Sequence, residues 1–108
     1  MKKQAIDSRN PIFATPDGST IFKKFGYSPA VRAGDFLYVA GQIGLNPDGS
    51  MPANDEGQIV NAFDRLKIVL EEAGASLDEI VELVSYHVGL QNHLGKFVEI
   101  KNRYIREP

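Results

Sequence analysis

A chain of 108 residues, 43% hydrophobic and 24% charged, has the composition of one soluble globular domain around a single core. Its net charge of -2 gives no global attraction to phosphate backbones, so no nucleic-acid partner is expected. With no cysteine there is no disulfide, thiolate metal site or cysteine nucleophile, and no apolar run approaches the roughly 20 residues that span a bilayer.

The start, MKKQAIDSRN, carries two lysines without the apolar stretch of a signal peptide, and the expected location is cytoplasmic, with no membrane partner. Residues 1–10 read as a short edge strand or an ordered arm. Pro11, Pro16 and Asp17-Gly18 mark turns, and Asp17-Gly18-Ser19 could close a hairpin between Ile12-Phe13 and Ile21-Phe22. Lys23-Lys24 reads as a solvated loop rather than an anion site.

The stretch Tyr27 to Asn46 organises the chain. Tyr27 to Ala33 and Phe36 to Ile43 are apolar runs joined at Gly34-Asp35, a β-hairpin signal. Phe36, Tyr38, Ala40 and Gln42 alternate with Leu37, Val39, Gly41 and Ile43, and both faces are largely apolar, so cover is expected on both. The glycines at 41 and 44 mark a bulge or a close approach to the backbone. The hairpin is therefore either plain core or the floor of a pocket, and Tyr27, at the strand entry, is core or rim.

Asn46-Pro47-Asp48-Gly49 is a turn, followed by loop. From Asp55, read as the cap, Ile59, Phe63, Leu66, Leu70 and Ala73 recur at helical spacing, and Gly74 supplies the stop. Asp64, Arg65, Lys67, Glu71 and Glu72 are assigned to its outer face, with Asp64–Lys67 and Lys67–Glu71 pairs. Ile80 to Leu90 is rich in β-branched residues and predicts another central strand. Asn92 caps a second helix from His93 to about Arg106, burying Leu94, Phe97, Ile100 and Tyr104. The order β-β, α, β, α ends without the strand that would return over the second helix. Residues 1–108 are thus expected to form a single domain lacking C-terminal strands, or one completed by a neighbouring chain.

Motifs for phosphate loops, dinucleotides, zinc hydrolysis, calcium or nucleophile elbows are absent from the sequence. Gly41-Gln42-Ile43-Gly44 lacks the spacing and the following helix of a phosphate cradle. His93 is expected at the surface. His87, on the predicted strand, is either a hydrogen-bonded structural histidine or a proton-transfer group in a cleft. Two histidines without a carboxylate in register predict no metal site. Ser85 and His87 are not expected to act as a hydrolase pair, because residues two apart on a strand point the same way and no acid orients the imidazole.

The segments Tyr27-Ser28-Pro29-Ala30-Val31 and Gly34 through Gly44 closely resemble the Rid family, the YjgF-type reactive-intermediate deaminases formerly described as endoribonuclease L-PSP. The resemblance continues through Gln58, Ala73-Gly74-Ala75-Ser76-Leu77, Val84-Ser85-Tyr86-His87-Val88 and the helix around Phe97, covering most of residues 25–106. It implies a chorismate-mutase-like α+β fold: a single mixed sheet with two helices on one face, assembling as a homotrimeric barrel with ligand clefts between subunits. It further implies hydrolysis of a small 2-imino or enamino acid to ketone and ammonia, without cofactor. By position, Tyr27 matches the rim tyrosine and Gly41 the backbone contact, with Gln42 beside it. Ala40 stands where deaminases commonly carry serine, and about Val98 where an asparagine often sits. The arginine that pairs with the substrate carboxylate, and the glutamate thought to order the water, align beyond Pro108. A non-catalytic binder or regulator in the same cleft is the alternative reading, ahead of RNA cleavage.

Overall fold

The computed structural model describes residues 2–106. Three short strands, β1 (Lys3–Ile6), β2 (Ala30–Ala33) and β3 (Phe36–Val39), form one antiparallel sheet in the order β1-β2-β3. Ile6 lies opposite Ala30, and Ala30 opposite Val39, so β2 is the central strand. The hairpin between β2 and β3 turns on Gly34, whose φ of 60° is the positive value that glycine supplies at the first position of a two-residue turn. The arm read from residues 1–10 is thus an edge strand.

Packed on the sheet is α2 (Asp55–Glu72). Its cap is Asn54 rather than Asp55: the Asn54 side chain accepts from the Gly57 amide at 2.8 Å, while Asp55 and Glu56 put negative charge in the first turn. Gly74, at φ 78°, ends the helix as expected. Phe13, Phe22, Ala30 and Val69 form the core, with Ile6, Ile12, Ile21, Leu37, Val39 and Ile68 against it. The Phe13 and Phe22 rings are 4.8 Å apart. Each such side chain contributes about 1.5–3 kcal/mol on burial.

The hairpin expected between Ile12-Phe13 and Ile21-Phe22 is reduced to one bridge, Ala14 with Thr20. Pro11–Phe13 is instead a single 3-10 turn and α1 (Ile21–Phe25) a short helix. Thr20 caps α1 by accepting from the Lys23 amide, and Gly26 closes it at φ 73°. The turn at Asp17-Gly18 is present, but Thr20 and Gly26 bracket the apolar run as helix caps. That places Phe13 and Phe22 in the core from turns rather than from paired strands.

Residues 80–88, expected as a central strand, pair with no strand among the described residues. Val81, Tyr86 and Val88 are each at least 90% exposed. β-Propensity expresses the fit of a side chain to a neighbouring strand, and here that neighbour is absent from the described residues. The second expected helix is α3 (Leu94–Tyr104), shorter at both ends. Asn92 belongs to the 3-10 turn Leu90–Asn92 before it, and Leu94, expected in the buried stripe, is exposed. Ile100 is fully buried, and Phe63 of α2 stacks on Tyr104 at 5.1 Å and meets Phe97 edge-on at 6.2 Å.

The outer-face assignment for α2 also changes. Asp64 accepts the Tyr104 hydroxyl at 2.6 Å instead of pairing with Lys67, and Glu72 accepts the Ser8 hydroxyl at 2.9 Å. Burial first, then donation to the Asp64 carboxylate, push the Tyr104 phenol up from 10.0 to about 12. Because the folded value lies above the unfolded one, this contribution is full below pH 10 and is lost as pH rises through 12. Urea midpoints should therefore fall across that window, and Tyr104→Phe should flatten the fall; an equally steep fall in the variant would exclude this assignment.

Candidate functional site

Two places concentrate chemistry. The first is an open cleft of about 390 Å³ beside the entry to β2, lined by Ile6, Asp7, Phe22, Lys23, Tyr27 and Ser28, among others. The αL cap at Gly26 turns the chain out of α1 so that the Tyr27 amide bonds back to Phe22, and the Tyr27 ring meets the Phe22 ring edge-on at 5.2 Å. Tyr27 is 41% exposed, so it is a rim residue held by a core one. Lys23 and Asp7 bring a cation and a carboxylate to the lining of this cleft, and neither has an ion-pair partner among the described residues. The Asp7 carboxylate is oriented by the Ser8 amide at 2.9 Å. The sequence assigned Lys23 to a solvated loop; its place on the first helical turn after Thr20 is what aims it here.

The structure does not bring the other expected ligand-lining residues into this cleft. Ala40 continues β3 by donating its N–H to the Pro29 carbonyl at 2.9 Å, and Gln42 folds back to donate to the Ala40 carbonyl at 3.1 Å. Gly41 is exposed, and Val98 lies half-exposed on α3. The close backbone approach expected at these glycines occurs at Gly44: a Cβ there would lie 2.7 Å from the Gln58 Cα. Arg65, assigned to the outer face, is 4% exposed and donates to the Leu45 and Asn46 carbonyls at 3.2 and 3.3 Å. Asn61 donates to the Asn46 side chain at 3.1 Å. The loop from Gly44 to Asn46 is thus fastened to α2.

The second place is built on His87. Gly89, at φ 66°, and the 3-10 turn after it reverse the chain and return His93 to face His87. His87 Nδ1 and His93 Nε2 are 3.0 Å apart, and His87 Nε2 is 3.0 Å from Ser85 Oγ. On the far side, His93 Nδ1 stands 3.5 Å from Asp55 Oδ2, at the first turn of α2. The Phe97 ring holds His87 in an edge contact at 4.6 Å. One expectation is corrected here: the side chain of His93 is only 11% exposed. Ser85 is within hydrogen-bond distance of His87, and the nearby acid stands against His93, the residue before α3, rather than against His87. No group of three or more histidine, cysteine, aspartate or glutamate side chains fit for a metal ion occurs among the described residues. No helix there is long and apolar enough to cross a membrane.

Residues 20–108 match the profile of the family described as Endoribonuclease L-PSP. The chain is 33% identical over 89 residues to the RutC family protein YjgH of Escherichia coli, covering 82% of this chain and 68% of that protein. It is 38% identical over 61 residues to a 2-iminobutanoate/2-iminopropanoate deaminase of Dermatophagoides farinae, covering 53% of this chain and 46% of the relative. The solved structure of protein YJGH superposes with a TM-score of 0.78 at 28% identity, covering 95% of this chain and 74% of that one. RutC family proteins of Pyrococcus abyssi and Aquifex aeolicus match at 37% and 34% identity, and the chain spans 65% and 60% of their length.

Proposed function

The chain belongs to the Endoribonuclease L-PSP family, also called Rid or YjgF, and on that premise we propose that it hydrolyses small 2-imino or enamino acids to the ketone and ammonia. The observation that carries this reading is the Tyr27 cleft, with Lys23 and Asp7 in its lining. The substrate carboxylate meets the Lys23 ammonium, and Tyr27 closes the rim over the imine carbon. Asp7 takes a proton from the water as it adds to that carbon and passes it to the imine nitrogen; the carbinolamine so formed then loses its hydroxyl proton by the same route to nitrogen, and ammonia leaves as the ketone forms. Lysine is a point charge rather than the bidentate fork of an arginine, so it selects a carboxylate less by geometry than by sign. Phe36 and Tyr38, 60% and 64% exposed on one face of β3, suit the self-association in which clefts of this kind lie between three copies.

An amino-acid oxidase feeding the protein its imine product, with semicarbazide trapping what remains, tests the reaction. The protein should accelerate imine loss, and Lys23→Met should raise KM roughly tenfold with little change in kcat, as expected for one charge-assisted contact. No acceleration over buffer would remove the catalytic reading.

Binding without turnover is the second reading, favoured by the arginines. None lines the cleft: Arg32 donates to the Ala73 carbonyl, Arg65 is buried, and Arg103 is tied to Glu99. It predicts a raised thermal midpoint with keto acids and no imine loss. RNA cleavage, the activity in the family's descriptive name, gains no support from a net charge of -2.

A further inference from the structure

We propose that Ser85, His87, His93 and Asp55 form a proton relay that makes Ser85 Oγ a nucleophile toward small activated acyl esters. The relay shares no residue with the Tyr27 cleft and stands independently of imine hydrolysis.

Counting protons gives the chain a direction. Three contacts have to be filled, and two neutral imidazoles and one hydroxyl bring three hydrogens. The Asp55 carboxylate, 3.5 Å from His93 Nδ1, favours the proton on that nitrogen, since a ring lone pair facing a carboxylate is repelled. His93 Nε2 is then the acceptor for the His87 Nδ1 proton at 3.0 Å. That leaves the His87 Nε2 lone pair directed at Ser85 Oγ, also at 3.0 Å. Every contact has one donor and one acceptor, and the imidazole next to the serine is its base. His93 extends the base–acid distance by one ring. The Phe97 edge contact fixes the plane of His87, and the turn at Gly89 fixes the approach of His93.

Ser85 is exposed, so its oxygen is open to a reagent, whereas the side chain of His93 is nearly enclosed. In the first step Ser85 Oγ bonds to the ester carbonyl carbon, its proton passes to His87 Nε2, and the His87 Nδ1 proton shifts toward His93 Nε2. The alkoxide then leaves with the proton returned by His87, giving acyl-serine and an alcohol. Water, deprotonated by the same nitrogen, releases the carboxylic acid and restores the serine. His87 is the catalytic base; His93 and Asp55 are positioning residues.

A fluorophosphonate probe reacts at the same oxygen with loss of fluoride and leaves a stable phosphonyl-serine that peptide mass spectrometry can locate. Expected are labelling of the native protein at Ser85, none in Ser85→Ala, and labelling roughly 100-fold slower in His87→Gln. Asp55→Asn should slow labelling while Asp55→Glu restores it, a rescue that a merely structural carboxylate would not produce. Thermal midpoints, with Asp55→Asn as a variant at an exposed helix turn, separate loss of the relay from loss of fold. Absence of label at Ser85, or equal labelling rates in the native protein, His87→Gln and Asp55→Asn, would overturn the assignment.

Discussion

Gly44→Ala should cost about 3 kcal/mol or more of folding stability, read as a shifted urea midpoint in a protein that otherwise unfolds in one transition. Residue 44 has no positive φ, so the cost is spatial and not conformational. An added Cβ would meet the backbone of Gln58, its Cα at 2.7 Å and its carbonyl closer still. Backbone in the second turn of an 18-residue helix cannot step aside as a flexible side chain does. The helix has to shift as a body, and Val69 and Leu70 on its buried side would lose their packing. Gly41→Ala is the control, since a Cβ there meets nothing within 4 Å, and it should change stability by no more than about 0.5 kcal/mol. Equal midpoints for the two alanine variants would exclude the close approach as the reason for glycine at 44.

Arg65→Ala should cost about 3 kcal/mol by the same measurement. The guanidinium donates to two loop carbonyls, at Leu45 and Asn46, and lies over the Phe13 ring with its centre 5.5 Å from the ring centroid. Its Nε is buried without a partner among the described residues, and desolvation pulls its pKa below the usual value. Truncation leaves two carbonyls short of a donor and uncovers one side of Phe13. Arg65→Lys should recover only part of the loss, because an ammonium covers less of the ring than a planar guanidinium and binds the two carbonyls less well. Full recovery in the lysine variant would show that charge alone matters at this position.

Much of the scaffold was legible because its signals are local. Apolar residues at helical spacing from Ile59 to Ala73, acids at one end and Gly74 at the other specify α2 without reference to anything distant. Gly34-Asp35 between two apolar runs does the same for the β2–β3 hairpin. Ile21-Phe22 reads as a strand because so short a run carries too little periodicity to tell helix from strand, and the deciding signals are the caps, Thr20 and Gly26. Arg65 was misplaced for a different reason. A charge on a helix is assigned outward by default, and its inward turn depends on carbonyls supplied by a loop twenty residues earlier.

The sites were less legible than the scaffold. Tyr27 could be read from its place before a strand, but Lys23 reaches the cleft only because α1 exists. The meeting of His87 with His93 follows from a turn at Gly89, and Asp55 joins them from a helix more than thirty residues away in sequence. Each is a tertiary fact that spacing does not encode.

The largely exposed run from Ile80 to Val88 bears on how the protein behaves in concentrated solution. It combines β-branched and aromatic residues, low charge and no proline, the composition from which cross-β stacks nucleate when a segment stays uncovered. Glu82 is its one acidic residue and stands between Val81 and Leu83, where like charges on stacked copies would repel. A side chain with no partner among the described residues thus acts as a gatekeeper against filament growth, and the colloidal stability of the protein rests on that carboxylate and on whatever surface covers the run.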